Sequence, residues 1–385
     1  MLWAILNLVL LAGFAAAVIF RLIAFSAGRK FFRRRVPSAD FHPPVTLLKP
    51  VKGMDDEARD NFESFCRQNY PQYQLLFGVS DPDDPAVPLI QAIMAEHPDR
   101  DISLVIATES LGPNGKVSTL CQMLPKAKYP FLIVSDSDMR AQPDYLQRVV
   151  APFADPGVGL VTTLYRGRGA KTRGAALEAL TVNTDFLPSV LVAERFEGLS
   201  FALGATMAVR QKALEGIGGF SALVDFLADD YQLGNRVFRA GWGLVLSDVI
   251  VDHVVRTSTV REFLLHQLRW ARTYRVSRPG GYFLTLLTRG LFFATALVLL
   301  NPGAPLAYRL LVGYLVLRLG TAAWFHVKVG ESDPKDLWLL PVRDLLAVGI
   351  WAAAFLGNTV TWRGESFQVT REGKLIRPDP RTLTG

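Results

Sequence analysis

Hydrophobic and polar positions divide this chain into two apolar ends and a mixed middle. Residues 2–20 carry no charge, and the apolar run continues to Phe25 with Arg21 near its edge. A run of this length spans a hydrocarbon core of about 30 Å. Positive charges follow the run and none precede it, so the pattern favours a retained membrane anchor over a cleaved signal peptide.

A basic cluster directly follows the anchor. Within a chain of net charge +7, it contains Arg29, Lys30, Arg33, Arg34 and Arg35. Its position after an apolar segment indicates a basic collar on a membrane helix and not a nucleic-acid site. The positive-inside rule predicts that the following domain is cytoplasmic. We therefore expect an anchor at 1–26, a basic juxtamembrane linker at 27–42, and no nucleic-acid partner.

From residue 43 the hydrophobic pattern becomes that of an α/β domain. Short apolar runs at 45–48, 75–79, 102–106 and 131–134 predict strands, and amphipathic stretches between them predict helices. This alternation favours a mostly parallel sheet with ligands outside the carboxyl ends of its strands. The second half is less regular. It predicts strands at 157–165, 201–209, 243–246 and 249–251, and helices at 175–192, at 227–237 and around 266–272.

Apolar segments return after residue 282. They cover about 282–301, 306–326 and 337–362, and a polar, basic tail at 363–385 follows them. A cytoplasmic domain and a cytoplasmic tail require an even number of crossings between them. We therefore predict two spans, at about 304–326 and 337–361, with 282–300 lying along the interface. Because unpaired charges are costly in a membrane, we expect Arg318 and Asp344 to pair.

Candidate chemistry begins at the end of the 131–134 strand, with Asp136 and Asp138. Residues two apart on an extended backbone point to the same face, so the two carboxylates can converge. A divalent cation between them would relieve their repulsion and leave positions for substrate phosphates. An isolated pair of this kind is more often a solvated turn, so other signals have to support the site.

Three further signals lie at predicted strand ends or helix starts. The first is the acidic turn with Asp81, Asp83 and Asp84, which is either solvated or a set of acceptors for a nucleotide base. The second is Lys116 in a Gly- and Asn-containing turn. The third is Asp230, next to Asp229, which either favours a helix N-terminus through the macrodipole or acts as a general base.

The helix carrying Arg269 and Trp270 is either an ordinary basic amphipathic helix or part of the site. In the second case Arg269 offsets phosphate charge, and the Trp270 ring forms an apolar surface for a sugar or acceptor. His253 and His266 lack zinc-site spacing, so we interpret them as structural. Without a P-loop, GxSxG or GxGxxG after a strand, the sequence does not support ATPase, hydrolase or dehydrogenase functions.

The order of these motifs resembles the inverting nucleotide-sugar glycosyltransferases of the GT-A fold, whose pattern is D, DxD, (E/D)D and (Q/R)xxRW. LLKPVKG at 47–53, DDPA at 83–86 and ADDY at 228–231 resemble the ceramide glucosyltransferase family. FCRQ at 65–68, FGV at 77–79, LVTTLYRG at 160–167 and LRWART at 268–273 resemble its hopanoid-associated bacterial branch. The resemblance covers about 43–282 and the anchor.

This resemblance implies an α/β GT-A catalytic domain at 43–281, with one N-terminal and about two C-terminal transmembrane helices, and a role for each candidate residue. Asp230 would be the catalytic base. Asp136 and Asp138 would hold Mg²⁺ or Mn²⁺. The nucleotide-sugar-binding residues would be Asp81, Asp84, Lys116 and Asp136. The acceptor and diphosphate motif would be His266, Arg269 and Trp270.

Two departures from the family pattern matter. His266 stands where the motif has Gln or Arg, which leaves its function open. Asp138 is Gly in some ceramide-specific relatives, so its presence favours the bacterial branch.

We therefore expect transfer of N-acetylglucosamine from UDP to bacteriohopanetetrol by a multi-pass protein of the bacterial inner membrane. The alternative is transfer of glucose from UDP-glucose to ceramide. A polysaccharide synthase, which needs more spans, and a non-catalytic membrane scaffold are further alternatives.

Overall fold

The computed structural model describes residues 1–34, 40–330, 334–362 and 365–377, so Arg35 and parts of the tail lie outside the described residues. In chain order the α-helices are α1 (Leu2–Phe31), α2 (Ala58–Cys66), α3 (Ala86–Glu96), α4 (Gly115–Met123), α5 (Tyr145–Val150), α6 (Arg173–Thr181), α7 (Leu187–Glu197), α8 (Gln211–Glu215), α9 (Asp229–Arg239), α10 (Val260–Ser277), α11 (Pro279–Leu284), α12 (Gly290–Leu300), α13 (Pro305–Lys328) and α14 (Leu340–Ala353). The strands are β1 (Val45–Val51), β2 (Tyr73–Val79), β3 (Asp101–Ile106), β4 (Phe131–Val134), β5 (Met139–Arg140), β6 (Val158–Arg168), β7 (Met207–Arg210), β8 (Gly243–Val254), β9 (Thr359–Trp362), β10 (Glu365–Val369) and β11 (Leu375–Ile376).

The chain forms two compact units. The sheet unit comprises Arg34–Gly169, Glu197–Arg256 and Phe367–Gly385. The helical unit comprises Met1–Arg33, Ala170–Phe196 and Thr257–Ser366. The boundaries predicted from the sequence place 170–196 and 257–281 in the catalytic domain, whereas these segments pack with the apolar helices.

The sheet unit is built on an eight-stranded sheet with the order β3-β2-β1-β4-β7-β6-β8-β5. β3, β2, β1 and β4 are parallel, and Val45 lies opposite both Tyr73 and Phe131. β7 runs antiparallel to β4, and the sheet is mixed from there on. Every residue of β1 and β4 is buried, as expected for strands covered on both faces. The four predicted N-terminal strands are therefore confirmed, and their carboxyl ends share one edge.

The second half of the sheet departs from the predicted strands. Only the end of the predicted 201–209 strand is β7, because Leu203 and Thr206 instead form an isolated bridge around Gly204. Thr162 holds this turn, accepting from the Leu203 amide at 2.9 Å and donating to the Thr206 carbonyl at 2.7 Å. The two short strands predicted at 243–246 and 249–251 are one strand, β8, because β6 pairs along its length.

The helical unit contains most of the long apolar helices. Among the described residues, four helical segments are long and apolar enough to cross a membrane, namely Leu2–Phe31, Arg173–Glu197, Pro305–Lys328 and Pro334–Leu356. Pro279–Thr288 and Gly290–Leu300 form a further pair that is bent by 56°. The protein is therefore a membrane protein. Which segments cross, and in which direction, stays a prediction.

Small residues let these helices approach closely. A Cβ at Gly13 of α1 would lie 2.4 Å from the ring of Phe293 in α12, and one at Gly290 would lie 2.2 Å from Tyr314 in α13. Such contacts between glycine and bulky side chains are typical of membrane helix packing, in which van der Waals contact drives association. Asn301, beyond the end of α12, donates to Asn7 of α1 at 2.7 Å, so α12 runs antiparallel to α1.

A network of buried charges joins the helices of this unit. The predicted pairing of Arg318 with Asp344 is confirmed, with two bonds of 2.8 and 3.0 Å. Arg343 bridges Asp344 at 2.9 Å and Asp185 at 2.7 Å. Asp185 lies in a π-helical turn, Val182–Phe186, between α6 and α7, and it also binds Arg21 and Arg289. Pairing with these carboxylates thus offsets the free-energy cost of burying the charged arginines.

Candidate active site

The predicted carboxylates follow β4 at the carboxyl edge of the sheet. Lys49, buried at the end of β1, donates to the backbone oxygen of Asp136 at 2.7 Å and lies 3.9 Å from the ring centroid of Phe65. Burial lowers the pKa of Lys49 to about 7. Because β1 and β4 are neighbours, this lysine fixes the backbone on which the acidic pair stands. Lys49 carries no signal in the sequence that marks it as part of the site.

Lys116 reaches the same place from the start of α4. Asn114 caps this helix through an Oδ1 that accepts from the Val117 amide at 3.1 Å. The Lys116 ammonium lies 2.7 Å from Asp136 Oδ1 and 3.1 Å from Asp229 Oδ2. Burial opposes its charge, but both carboxylates hold the pKa of Lys116 well above its ordinary value. The structure thus brings Lys116 and Asp136 together and adds Asp229.

Asp230 opens α9 beside this ion pair. Its Oδ2 accepts from the Gly204 amide at 3.0 Å, and its Oδ1 accepts from the Tyr231 amide at 2.7 Å. A Cβ at Gly204 would lie 3.0 Å from Asp136 Oδ2 and 3.5 Å from Asp230 Oδ2. Gly204 therefore lies between the two carboxylates. Burial, reinforced by the charge of Asp229, raises the pKa of Asp230 to about 6.

His253, for which the sequence predicts a structural role, lies in the same cluster. Its Nε2 lies 3.3 Å from Asp138 Oδ2, because β8 pairs with β5 and sets His253 opposite Met139. Burial alone would raise the pKa of Asp138, but His253 and Lys49 lower it below its ordinary value. Sequence spacing carries no signal for this contact, since it depends on strand pairing between distant segments.

The residues present fit a divalent cation. Asp136, Asp138, Asp229 and Asp230 place more negative charge in this partly exposed site than Lys116 offsets, and Asp138 Oδ1 is buried without a hydrogen-bond partner among the described residues. Across the described ranges, no group of three or more His, Cys, Asp or Glu side chains is positioned to hold a metal ion. Protein carboxylates completed by substrate phosphates are the usual arrangement for Mg²⁺.

Asp84 and Asp81 lie beyond β2 in the same sheet unit. Asp84 is buried, and its two oxygens accept from the Gly53 amide at 2.8 Å and the Ala86 amide at 2.9 Å. Gly53 has a φ of +74°, so Asp84 stabilises a turn that favours glycine. Asp81 is exposed and accepts from the Asp83 amide at 2.9 Å. Their contact with a nucleotide stays a prediction.

The acceptor motif lies on α10, which belongs to the helical unit. His266 Nδ1 lies 3.2 Å from Glu178 Oε1, and its ring centroid lies 4.9 Å from that of Trp270. Gln267 donates to the other oxygen of Glu178 at 3.0 Å. Glu178 is a buried acid of α6 that the sequence analysis did not select. Arg269 lies on the same helix, and its predicted role is not tested by this geometry.

Comparison with known protein families assigns the chain to one of them. The model of glycosyl transferase family 21 matches residues 9–375.

The chain belongs to glycosyl transferase family 21.

Ceramide glucosyltransferase 3 of Caenorhabditis elegans is 25% identical over 378 residues, covering 93% of this chain and 79% of that protein. Ceramide glucosyltransferase 1 of the same organism is 23% identical, covering 86% and 73%.

A solved structure supports the same fold. A mannosyltransferase from Pyrobaculum calidifontis, in complex with GDP-Man and Mn²⁺, superposes with a TM-score of 0.55 at 19% identity, covering 91% of this chain and 98% of that one. The predicted GT-A fold is thus confirmed. Family membership also confirms the prediction that the chain is a hexosyltransferase.

Proposed function

We propose that this family 21 enzyme transfers a hexosyl unit, with inversion, from a UDP-sugar to a hydroxyl group of a membrane lipid. The observation that carries the proposal is the meeting of Asp136, Lys116, Asp229 and Asp230 around Gly204. Together they offer a cation-binding acid, a cation for phosphate, and a carboxylate whose pKa of about 6 suits a base near neutral pH.

Asp136 and Asp138 would hold a divalent cation, Mg²⁺ or Mn²⁺, with His253 beside them. When bound, such a cation neutralises charge that develops on the UDP leaving group. Lys116 is the group most suited to bind the donor diphosphate, since its ammonium already faces Asp136. Lys49 would keep the Asp136 backbone in place while the donor enters. Asp84 and Asp81 are proposed at the uracil end of the donor.

Asp230 would act as the general base. Its carboxylate takes the proton of the lipid hydroxyl while the hydroxyl oxygen attacks the anomeric carbon. The bond from that carbon to the diphosphate oxygen breaks on the opposite face, so the configuration inverts and UDP leaves with the electron pair. The Gly204 amide would orient Asp230 for this step, because it fixes one oxygen of the carboxylate.

The acceptor is proposed to be ceramide and the donor UDP-glucose, because the relatives that match along most of this chain are named ceramide glucosyltransferases. This choice reverses the preference drawn from the sequence motifs. Bacteriohopanetetrol with UDP-N-acetylglucosamine is the second candidate, and Asp138 together with the 160–167 and 268–273 segments favours it. His266, Arg269 and Trp270 are proposed to contact the acceptor or the diphosphate.

We also propose that the enzyme resides in the bacterial inner membrane with its catalytic domain in the cytoplasm. Arg29 and Lys30 in the last turn of α1 support this orientation through the positive-inside rule. A polysaccharide synthase would need additional spans to build a polymer channel. A non-catalytic scaffold would show no turnover, so the first assay below separates it from the enzyme.

The decisive experiment uses the purified full-length protein in nanodiscs with UDP-glucose or UDP-N-acetylglucosamine, each against ceramide and bacteriohopanetetrol. We expect glucosylceramide, its loss in EDTA, and recovery with added Mn²⁺ or Mg²⁺. Product with bacteriohopanetetrol alone would select the second candidate. Full turnover in EDTA would contradict the metal, and no product with any pair would contradict the proposed function.

A further inference from the structure

The C-terminal tail folds back into the sheet unit as a hairpin. β10 and β11 pair antiparallel, with Val369 opposite Leu375. Gly373 has a φ of +86°, and its amide donates to the Thr370 carbonyl at 3.0 Å. The side chains of Phe367, Val369 and Leu375 are buried. This segment is therefore a packed part of the domain, whereas the sequence predicts only a polar, basic tail.

The hairpin binds the loop that leads into the acidic pair of α9. We call Val224–Ala228 the strap. The Leu375 amide donates to the Asp225 carbonyl at 2.7 Å, and the Leu227 amide donates to the Gly373 carbonyl at 3.3 Å. Between these two bonds, Phe226 and Lys374 form a bridge. The hairpin thus adds a short strand-like edge to the strap.

The opposite side of the strap is held by the cap of α4. Asn114, which is fully buried, donates through Nδ2 to the Phe226 carbonyl at 2.7 Å. The backbone amide of Asn114 donates to the Val224 carbonyl at 2.9 Å. The same residue caps the helix that presents Lys116. The strap is therefore held between the C-terminal hairpin and the element that carries the site cation.

The strap is short and continues directly into Asp229 and Asp230. A shift of the strap would move both carboxylates relative to Lys116 and the Gly204 amide. Catalytic geometry is sensitive to such shifts, because misplacement by about 1 Å can cost roughly a hundredfold in rate. The Asn114 bonds restrain one side of the strap, and the hairpin supplies two backbone bonds on the other.

We propose that the hairpin at 367–377 is a positioning element of the catalytic centre, which holds the strap so that Asp229 and Asp230 face Lys116 and Gly204. The inference rests on the proposed function, since it assigns Asp230 a role in transfer. As a positioning element, the hairpin would act through the strap and not on the substrate directly. Its effect should appear in kcat and leave the KM for the lipid acceptor unchanged.

Two truncations test the inference. A chain ending at Val369 loses β11 and both bonds to the strap, whereas a chain ending at Arg377 keeps the entire hairpin and is the matched control. Relative to the full chain, we expect the shorter protein to lose about tenfold or more in kcat. Its KM for the lipid should stay close to that of the control, and a cooperative thermal transition should show that it remains folded.

If the shorter truncation fails to fold, a matched pair of substitutions at Leu375 tests the inference instead. Leu375→Pro removes the amide that donates to Asp225, whereas Leu375→Ala keeps that amide and loses only side-chain burial. We expect kcat of the proline variant to be at least about fivefold below that of the alanine variant. Equal kcat in this pair, or full kcat in a folded chain ending at Val369, would overturn the inference.

The full chain is assayed first, so that failure of the proposed function can be distinguished from failure of the proposed role of the hairpin. Absence of transfer by the full chain contradicts the proposed function. Normal transfer by the full chain together with unchanged kcat in the folded variants contradicts only the role of the hairpin.

Discussion

Asp138 and His253 meet at 3.3 Å across the β5–β8 pairing, and this contact places an imidazole beside a partly exposed carboxylate of the candidate cation site. Groups that contact a metal ligand commonly alter metal affinity by 10- to 100-fold when they are removed.

We therefore expect His253→Ala to weaken Mn²⁺ binding about 10- to 100-fold, because Asp138 loses the group that orients it. Titration of the purified protein with Mn²⁺, followed by electron paramagnetic resonance, measures this affinity. His97→Ala, at the end of α3, is the control and should bind Mn²⁺ as the unmodified chain does. Equal affinities for the two variants would contradict a role for His253 at the cation site.

Asp230→Asn should lower kcat by about 10²- to 10⁴-fold, since an amide cannot accept the proton of the lipid hydroxyl. The KM values should change little, because the substitution keeps the shape of the side chain. Steady-state kinetics with the best donor and acceptor pair measure the effect. The exposed Asp99→Asn is the control, and unchanged kcat in Asp230→Asn would assign the base elsewhere.

The pKa of about 6 at Asp230 predicts an acidic limb in the pH profile. Because the base acts as the carboxylate, kcat/KM should rise through about pH 6 and level off above pH 7. The folding stability depends on pH in the opposite direction to kcat/KM. A carboxyl group with a raised folded-state pKa stabilises the fold at low pH, and this contribution is lost as the pH rises through 6. A flat kcat/KM profile between pH 5 and 7 would argue against Asp230 as the base.

Gly204→Ala should reduce kcat strongly with a small effect on folding. The new Cβ would lie 3.0 Å from Asp136 Oδ2 and 3.5 Å from Asp230 Oδ2, so it would displace one carboxylate or both. Gly115→Ala is a matched control, because nothing lies within 4 Å of a Cβ at that position. Comparison of kcat and melting temperature for the pair tests the prediction. Wild-type kcat in Gly204→Ala would show that the two carboxylates need no such space.

Removal of one buried carboxylate from the helical unit should be costly. Asp344→Ala leaves Arg318 and Arg343 without a shared partner, and breaking a buried pair in this way costs about 3–5 kcal/mol. Expression level and thermal unfolding in detergent are the measurements. Replacement of both partners, Arg318→Met with Asp344→Leu, should be milder than Asp344→Ala alone. Unchanged expression and activity in both Arg318→Ala and Asp344→Ala would remove the pairing as a stabilising contact.

The sequence by itself determined the local features of this protein. An uncharged apolar run predicts α1, and short apolar runs predict β1 to β4. The position of Asp136 and Asp138 after a buried strand was also predictable, because strand ends and period-two alternation are local properties of the sequence. The pairing of Arg318 with Asp344 was also predictable, since a membrane environment penalises either charge alone.

Only the tertiary structure decided which distant residues meet. His253 reaches Asp138 through strand pairing, Lys49 reaches Asp136 across neighbouring strands, and the C-terminal hairpin reaches the strap before Asp229. Thr162 likewise converts the predicted strand at 201–209 into the turn that carries Gly204. These contacts join segments that are remote in the chain, and hydrophobic periodicity reports only which face of an element is buried. The partner on that face depends on how the whole chain packs.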